Sequence, residues 1–235
     1  MRRIYQFLVR RVKEGVYWFI DYVYVVYWQI KGAVWSYDIS AYTRVVDTAR
    51  PPIILLPGIY EKWHFMKPVA DVLRQHGFAV HVIEGLGYNT GSIEVMAQVV
   101  ERYVQEKQLR TYSIVAHSKG GLIAKYLLTH RSSKTTPIQK VITLNTPFGG
   151  SKYAKFFPLR SIRMFLPTSP ILLSLAKEKM MNARIVSIYG QFDPHIPEGS
   201  YLVGAKNIQL RTYGHFRIMS SALVHREIIK NLLAV

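Results

Sequence analysis

The residues of this chain best suited to chemistry are one serine, a few acids and a few histidines, several of them placed just beyond β-rich runs. The stretch TYSIVAHSKGGLIAKYLL, residues 111–128, leads a β-branched run into Ala116-His117-Ser118-Lys119-Gly120 and then directly into a helical pattern. A serine on such a strand–helix turn is projected above a sheet in a strained conformation. Bulky side chains two positions before or after it would strike the neighbouring strand or helix, and Ala116, Gly120 and Gly121 are small. The helix N-terminus beside Ser118 favours developing negative charge. The plainer alternative is a serine that merely caps a helix.

A serine hydroxyl is a weak nucleophile at neutral pH and needs a base oriented by a third group. With the serine on a strand–helix turn, the expected chain order is serine, acid, histidine. The downstream acids are Glu178, Asp193, Glu198 and Glu227. Asp193 follows the β-rich run RIVSIY closely, and Glu198 is the reserve in the same loop. Of the downstream histidines, His130 ends the helix that carries the serine, His225 lies inside the last helix, and His195 competes only if its loop folds back. His215, in TYGHFRI, stands between a strand and the final helix. Elimination leaves Ser118, Asp193 and His215. Acyl transfer also needs donors for an oxyanion. The backbone N–H of Lys119 follows the serine, and Ile59, in LLPGIY after the first strand of the body, is the best second donor. His64 reads as a surface, packing or substrate-contacting residue, and His117 as one that packs.

These residues require a scaffold that brings strand ends together. From Arg50 onward, short β-rich runs (Ile53–Leu56, Ala79–Ile83, Tyr112–Ala116, Val141–Leu144, Arg184–Tyr189, Asn207–Arg211) alternate with helical stretches, the last over Arg217–Leu233. That alternation predicts an α/β fold, a mostly parallel sheet with helices on both faces, whose ligands bind beyond the carboxyl ends of the strands. The segment Ser151–Asn182 breaks the rhythm. It is apolar and basic together, and a connection this long reads as a lid or as core-covering helices. The expected organisation is a lead-in over residues 1–49 and a catalytic body over 50–235, with the lid at about 151–182.

The chain has 235 residues, 49% of them hydrophobic and 19% charged, which excludes a disordered chain and suits one domain. It has no cysteine, which excludes disulfides, thiolate nucleophiles and cysteine metal sites. Thirty-one Lys and Arg against fourteen Asp and Glu leave a formal charge of +17, which favours anionic partners. No metal-ligand spacing, phosphate loop or nucleic-acid reading module is present, and the basic HRSSK at 130–134 reads as solvated. No nucleic-acid partner is expected.

Met1–Trp35 stands apart. Read at helical period, Ile4, Leu8, Val12, Val16, Phe19, Val23, Tyr27 and Ile30 form one apolar stripe, opposite Arg3, Gln6, Arg10, Lys13, Tyr17 and Asp21. A spanning helix needs about 20 apolar residues, and an Asp near the bilayer centre costs on the order of 3 kcal/mol. Asp21 therefore disfavours spanning. Basic charge with interfacial aromatics predicts a helix lying in an anionic membrane interface. A helix or strand packed on the domain or on a second subunit is the alternative.

The motifs LLPGIY, AHSKGG, LNTPFGGS, FDPHIP and GHFR resemble the α/β-hydrolase serine esterases, in particular bacterial lipases and lipase-like deacylases. The resemblance covers about residues 50–235. It implies carboxylic-ester hydrolysis without metal or organic cofactor, with nucleophile Ser118, acid Asp193, base His215 and the N–H groups of Ile59 and Lys119 as oxyanion donors. A lipid-like acyl ester is the expected substrate. Two features depart from the pattern. Pro57 stands where many such lipases carry His, and Lys119 is an unusual charge beside the nucleophile, either facing an anionic head group or solvated. An acyltransferase with the same triad, or a basic binding module with a retired site, are the competing functions.

Overall fold

The computed structural model describes residues 2–45, 47–131 and 137–234. Six strands form one parallel sheet: β1 (Ile53–Leu56), β2 (Val80–Val82), β3 (Tyr112–His117), β4 (Ile138–Leu144), β5 (Ile185–Phe192) and β6 (Lys206–Tyr213), in the order β2-β1-β3-β4-β5-β6. The runs that predict β1 to β5 are buried on both faces, as a helix-covered parallel sheet requires, whereas β6 at the sheet edge is only partly covered. β4 begins three residues before its predicted start, because Gln139 and Lys140 continue the strand without apolar side chains. Residues 132–134 of the HRSSK stretch lie outside the described residues.

Among the described residues, eight α-helical segments accompany the sheet: α1 (Arg2–Val34), α2 (Ser40–Thr43), α3 (Lys67–Gln75), α4 (Ile93–Glu106), α5 (Lys119–Tyr126), α6 (Arg160–Arg163), α7 (Pro170–Lys177) and α8 (Ala222–Leu233). The period-2 geometry of β1 divides the core. Ile54 and Leu56 pack with α4, α5 and α7 on one face. Ile53 and Leu55 pack with α3, α8 and Trp28 of α1 on the other.

The connection from β4 to β5 does two jobs. Phe165, Leu172 and Leu175 are buried in the core beside α4 and α5, whereas Phe156, Phe157 and Leu159 stay exposed. The segment is thus a partial core cover whose exposed part rims a cavity.

Residues 2–34 are helical, which removes the strand alternative. α1 packs on the body by its polar side, not by its apolar stripe. Its Asp21 face meets the body: Asp21 and Trp28 are buried, Tyr17 stacks on Tyr213 with ring centroids 4.4 Å apart, and Gly32 lies against the His64 ring. The apolar stripe from Val12 to Ile30 faces away from the body. The side chains of Ile4, Leu8, Arg3, Gln6 and Arg10 lie outside the described residues.

Candidate active site

Ser118 occupies the turn between β3 and α5 with φ 50° and ψ −119°. A non-glycine residue there carries strain of order 1–3 kcal/mol, so its surroundings must hold it. The Ser118 N–H donates to the Leu144 carbonyl at 2.9 Å, and the Thr146 hydroxyl donates to the Ser118 carbonyl at 3.0 Å. Two glycines allow the close approach. A Cβ on Gly120 would sit 2.1 Å from the Leu56 carbonyl oxygen, and one on Gly121 would sit 2.0 Å from Thr146 Oγ1.

Asp193 follows the last residue of β5. Its Oδ1 accepts the backbone N–H groups of His195 and Ile196 at 2.8 and 3.1 Å, which fixes the carboxylate at the strand end. His215 follows β6 after Gly214, whose φ of +105° suits glycine. His215 Nε2 lies 2.9 Å from Ser118 Oγ, and Nδ1 lies 2.7 Å from Asp193 Oδ2. Three side chains from three strand ends therefore form one continuous hydrogen-bonded chain. Burial, the largest single influence, depresses the His215 pKa, but the Asp193 carboxylate together with Glu61 and Asp21 outweighs it and the net direction is upward. Burial likewise pushes Asp193 upward, and His215 reverses that to a net lowering.

Ser118 and His215 open on a cavity of about 380 Å³, within the usual range for small-molecule sites, about 300–1,000 Å³. Its apolar lining includes Ile59, Phe65, Phe157, Ile162 and Phe165, with Val25 contributed by α1. The Gly58 N–H is committed to Glu61 Oε2 at 2.8 Å. Ile59, next along the loop, borders the same cavity as Ser118. Lys119 is the first residue of α5, where no preceding helical turn supplies a carbonyl for its N–H.

A family model described as palmitoyl protein thioesterase matches residues 52–201. The chain belongs to the palmitoyl protein thioesterase family. The match spans Ser118 and Asp193. Solved structures with the same fold include the mature lipase BlEst2 of Bacillus licheniformis, 17% identical, with a TM-score of 0.59 over 79% of this chain and 93% of that one. The monoacylglycerol lipase of Paleococcus ferrophilus is 14% identical, with a TM-score of 0.57 over 78% and 95%. The enol-lactonase of Burkholderia xenovorans LB400 is also 14% identical, with a TM-score of 0.54 over 78% and 91%. At these identities the likeness shows the α/β-hydrolase fold. The comparison with curated proteins finds no match.

Within this thioesterase-family hydrolase, the other candidates fall into place. Glu198 Oε1 accepts the backbone N–H of Lys152 at 3.2 Å and takes no part in the hydrogen-bonded chain. The loop carrying His195 does fold back, bringing that ring to 5.1 Å from the His215 ring, but it is His215 that reaches Ser118. Burial, followed by the nearby His215, pushes the His195 pKa down to about 4. His64 is buried beneath α1.

Lys119 fits neither of its two expected placements. Its side chain is fully buried, and Nζ donates to the carbonyls of Asn89 (2.7 Å) and Gly91. Desolvation lowers its pKa to about 8. It ties the loop before α4 to the Ser118 turn.

Four supports escape sequence reading. His117 packs as expected, but within a polar network: Nδ1 lies 2.9 Å from Glu61 Oε2, and Nε2 donates to the His215 carbonyl at 2.9 Å. Glu61 also holds Gly58, so one carboxylate links the Ile59 loop to the His215 loop. Pro57 accepts a hydrogen bond from Asn89 Nδ2 at 2.7 Å, another tie on that loop. Asn145 Nδ2 donates to the carbonyls of Gly214 and His215 at 3.0 and 3.1 Å, while its Oδ1 accepts the Gly190 N–H at 3.0 Å. Asp21 of α1 accepts the N–H groups of His215, Phe216 and Arg217 at 2.7, 2.9 and 2.9 Å. Only Asn145 carries a sequence signal, its place in LNTPFGGS just after β4.

Proposed function

We propose that this protein hydrolyses carboxylic esters of lipid-like acyl groups through an acyl-enzyme on Ser118. The observation that carries this reading is the Ser118–His215–Asp193 hydrogen-bond chain at an apolar cavity. Ser118 Oγ attacks the acyl carbon as His215 Nε2 takes its proton, and Asp193 stabilises the imidazolium. The N–H groups of Lys119 and Ile59 hold the oxyanion. The tetrahedral intermediate collapses, and the leaving alcohol departs with the proton from His215. Water, deprotonated by His215, then attacks the acyl-Ser118 ester. A second oxyanion forms and collapses, releasing the fatty acid and returning the proton to Ser118.

The family match favours a second leaving group, the thiol of an acyl thioester. The same steps serve it, since a thiolate leaves without needing full protonation. Comparing kcat/KM for an O-acyl and an S-acyl substrate of equal chain length separates the two readings.

A fluorophosphonate probe should label wild type at Ser118, and Ser118→Ala should lose about 10³-fold or more of its turnover of p-nitrophenyl acyl esters. Turnover of Ser118→Ala at the wild-type rate would overturn the assignment.

A further inference from the structure

Among the described residues, the outward face of α1 from Val12 to Ile30 has no partner in the fold. Val12, Val16, Phe19, Val23, Tyr27 and Ile30 lie along one line of the helix and are 48–67% exposed. At about 1.5 Å per residue the line runs about 27 Å. The body does not need this face, because α1 is already pinned by its opposite side through Asp21, Tyr17 and Trp28. Solvent-facing apolar stripes of this length mark interaction surfaces.

We propose that this face docks on an anionic lipid bilayer, with α1 lying in the plane of the surface. Charge chooses the occupant. Residues 1–35 contain six Lys and Arg against two acids, and one of those acids, Asp21, is buried. Lys13 is exposed beside the stripe, and Lys31 Nζ lies 5.0 Å from the Tyr27 ring centroid, an ammonium carried on an apolar stem at the stripe's edge. A second copy of this chain, itself strongly cationic, would bring like charges together, whereas anionic head groups complement them. Trp18 and Tyr22 on α1, and Trp35 just after it, are also exposed, the amphipathic rings that favour a membrane–water boundary. No described helix is long and apolar enough to cross a membrane, so the face lies on the surface.

The cavity beside Ser118 opens along the edge of α1 that carries Tyr22. Its other rim repeats the chemistry of the stripe: Phe157 and Leu159 are exposed, near exposed Lys155 and Arg160. Docking on α1 thus sets the cavity mouth beside the lipid, and that link to substrate delivery rests on the ester-hydrolase reading above.

The test is cosedimentation of the full chain with phosphatidylcholine vesicles, with and without phosphatidylserine. Wild type and Ser118→Ala should bind the phosphatidylserine vesicles equally and release them at high salt. The double variant Phe19→Ser/Val23→Ser should bind them about ten- to a hundredfold more weakly. Its circular dichroism and its turnover of a water-soluble short-chain ester should match wild type, since both side chains point away from the body. Wild-type binding by the double variant would overturn the proposal. So would a wild type that ignores vesicles and sediments as a dimer that the double variant dissolves. Vesicle binding without ester turnover would sink the catalytic reading alone, and turnover with undiminished binding by the double variant would sink the docking face alone.

Discussion

The Asp21 carboxylate of the N-terminal helix accepts the backbone N–H of His215 at 2.7 Å, across 194 positions of sequence. With the N–H groups of Phe216 and Arg217 on its other oxygen, it holds three consecutive donors of the turn that follows β6. Gly214 must be small there, because a Cβ would sit 2.5 Å from Asp21 Oδ1. The turn that aims the His215 imidazole at Ser118 is thus closed by a side chain from outside the β–α body. The buried carboxyl is itself pushed above the usual carboxylate range, since burial outweighs the hydrogen bonds it receives.

Asp21 is therefore a positioning residue, and its loss should separate from a simple loss of stability. Asp21→Ala leaves three N–H groups without their acceptor, at about 1–3 kcal/mol for each that stays dry, and should lower the melting temperature markedly. Asp21→Asn keeps the shape and one acceptor oxygen. Assayed where it is still folded, it should lose kcat by about ten- to a hundredfold with KM little changed, because only the aim of the base has altered. Wild-type kcat in folded Asp21→Asn would confine this residue to folding.

The acid limb of the rate profile follows from the direction of the His215 shift. In the proposed mechanism His215 acts as base only when neutral, so kcat/KM should fall as the pH drops through the His215 pKa of the free enzyme. Net of burial, Asp193 raises that pKa, with smaller contributions in the same direction from Glu61 and Asp21. The limb should therefore lie above the ordinary histidine value of about 6.5. Asp193→Asn removes the largest raising influence, and the limb should move to lower pH while kcat falls by about 10⁴-fold. Asp21→Asn should move it in the same direction by less, a change that a purely structural role would not produce. A limb below the ordinary histidine value in wild type would contradict this assignment of the base.

Gly120 and Gly149 should respond oppositely to alanine. At Gly120 the added methyl meets the Leu56 carbonyl oxygen at 2.1 Å, and backbone cannot yield as a flexible side chain can. Gly120→Ala should cost about 1–3 kcal/mol or more by chemical denaturation and displace Ser118 relative to β1. Gly149 has open space around its Cβ position, so Gly149→Ala should unfold at nearly the wild-type denaturant concentration. Equal stability of the two variants would mean that the turn does not hold β1 and α5 as closely as described.

Much of this protein is legible in one dimension because the relevant signals are local. Apolar periodicity marks the six strands, and small residues around Ser118 announce a tight strand–helix crossing. Asp193 and His215 reveal themselves by standing just past strands, since parallel strands put all their carboxyl ends on one rim. Periodicity also finds the stripe on α1, but it reports only which side chains share a face. Whether that face meets the body or the solvent depends on what the rest of the chain offers it.

That choice belongs to the tertiary structure. The turn after β6 presents three backbone donors that need an acceptor, a buried donor left unpaired is costly, and the face of α1 bearing Asp21 supplies the acceptor. The same logic buries Lys119 against two loop carbonyls and joins Glu61 to His117. Residue type and spacing therefore determine the sheet and suggest the serine, acid and histidine. Only the folded chain decides how α1 is turned, because a polar group's partner can lie anywhere in sequence and is chosen by which buried groups still lack one.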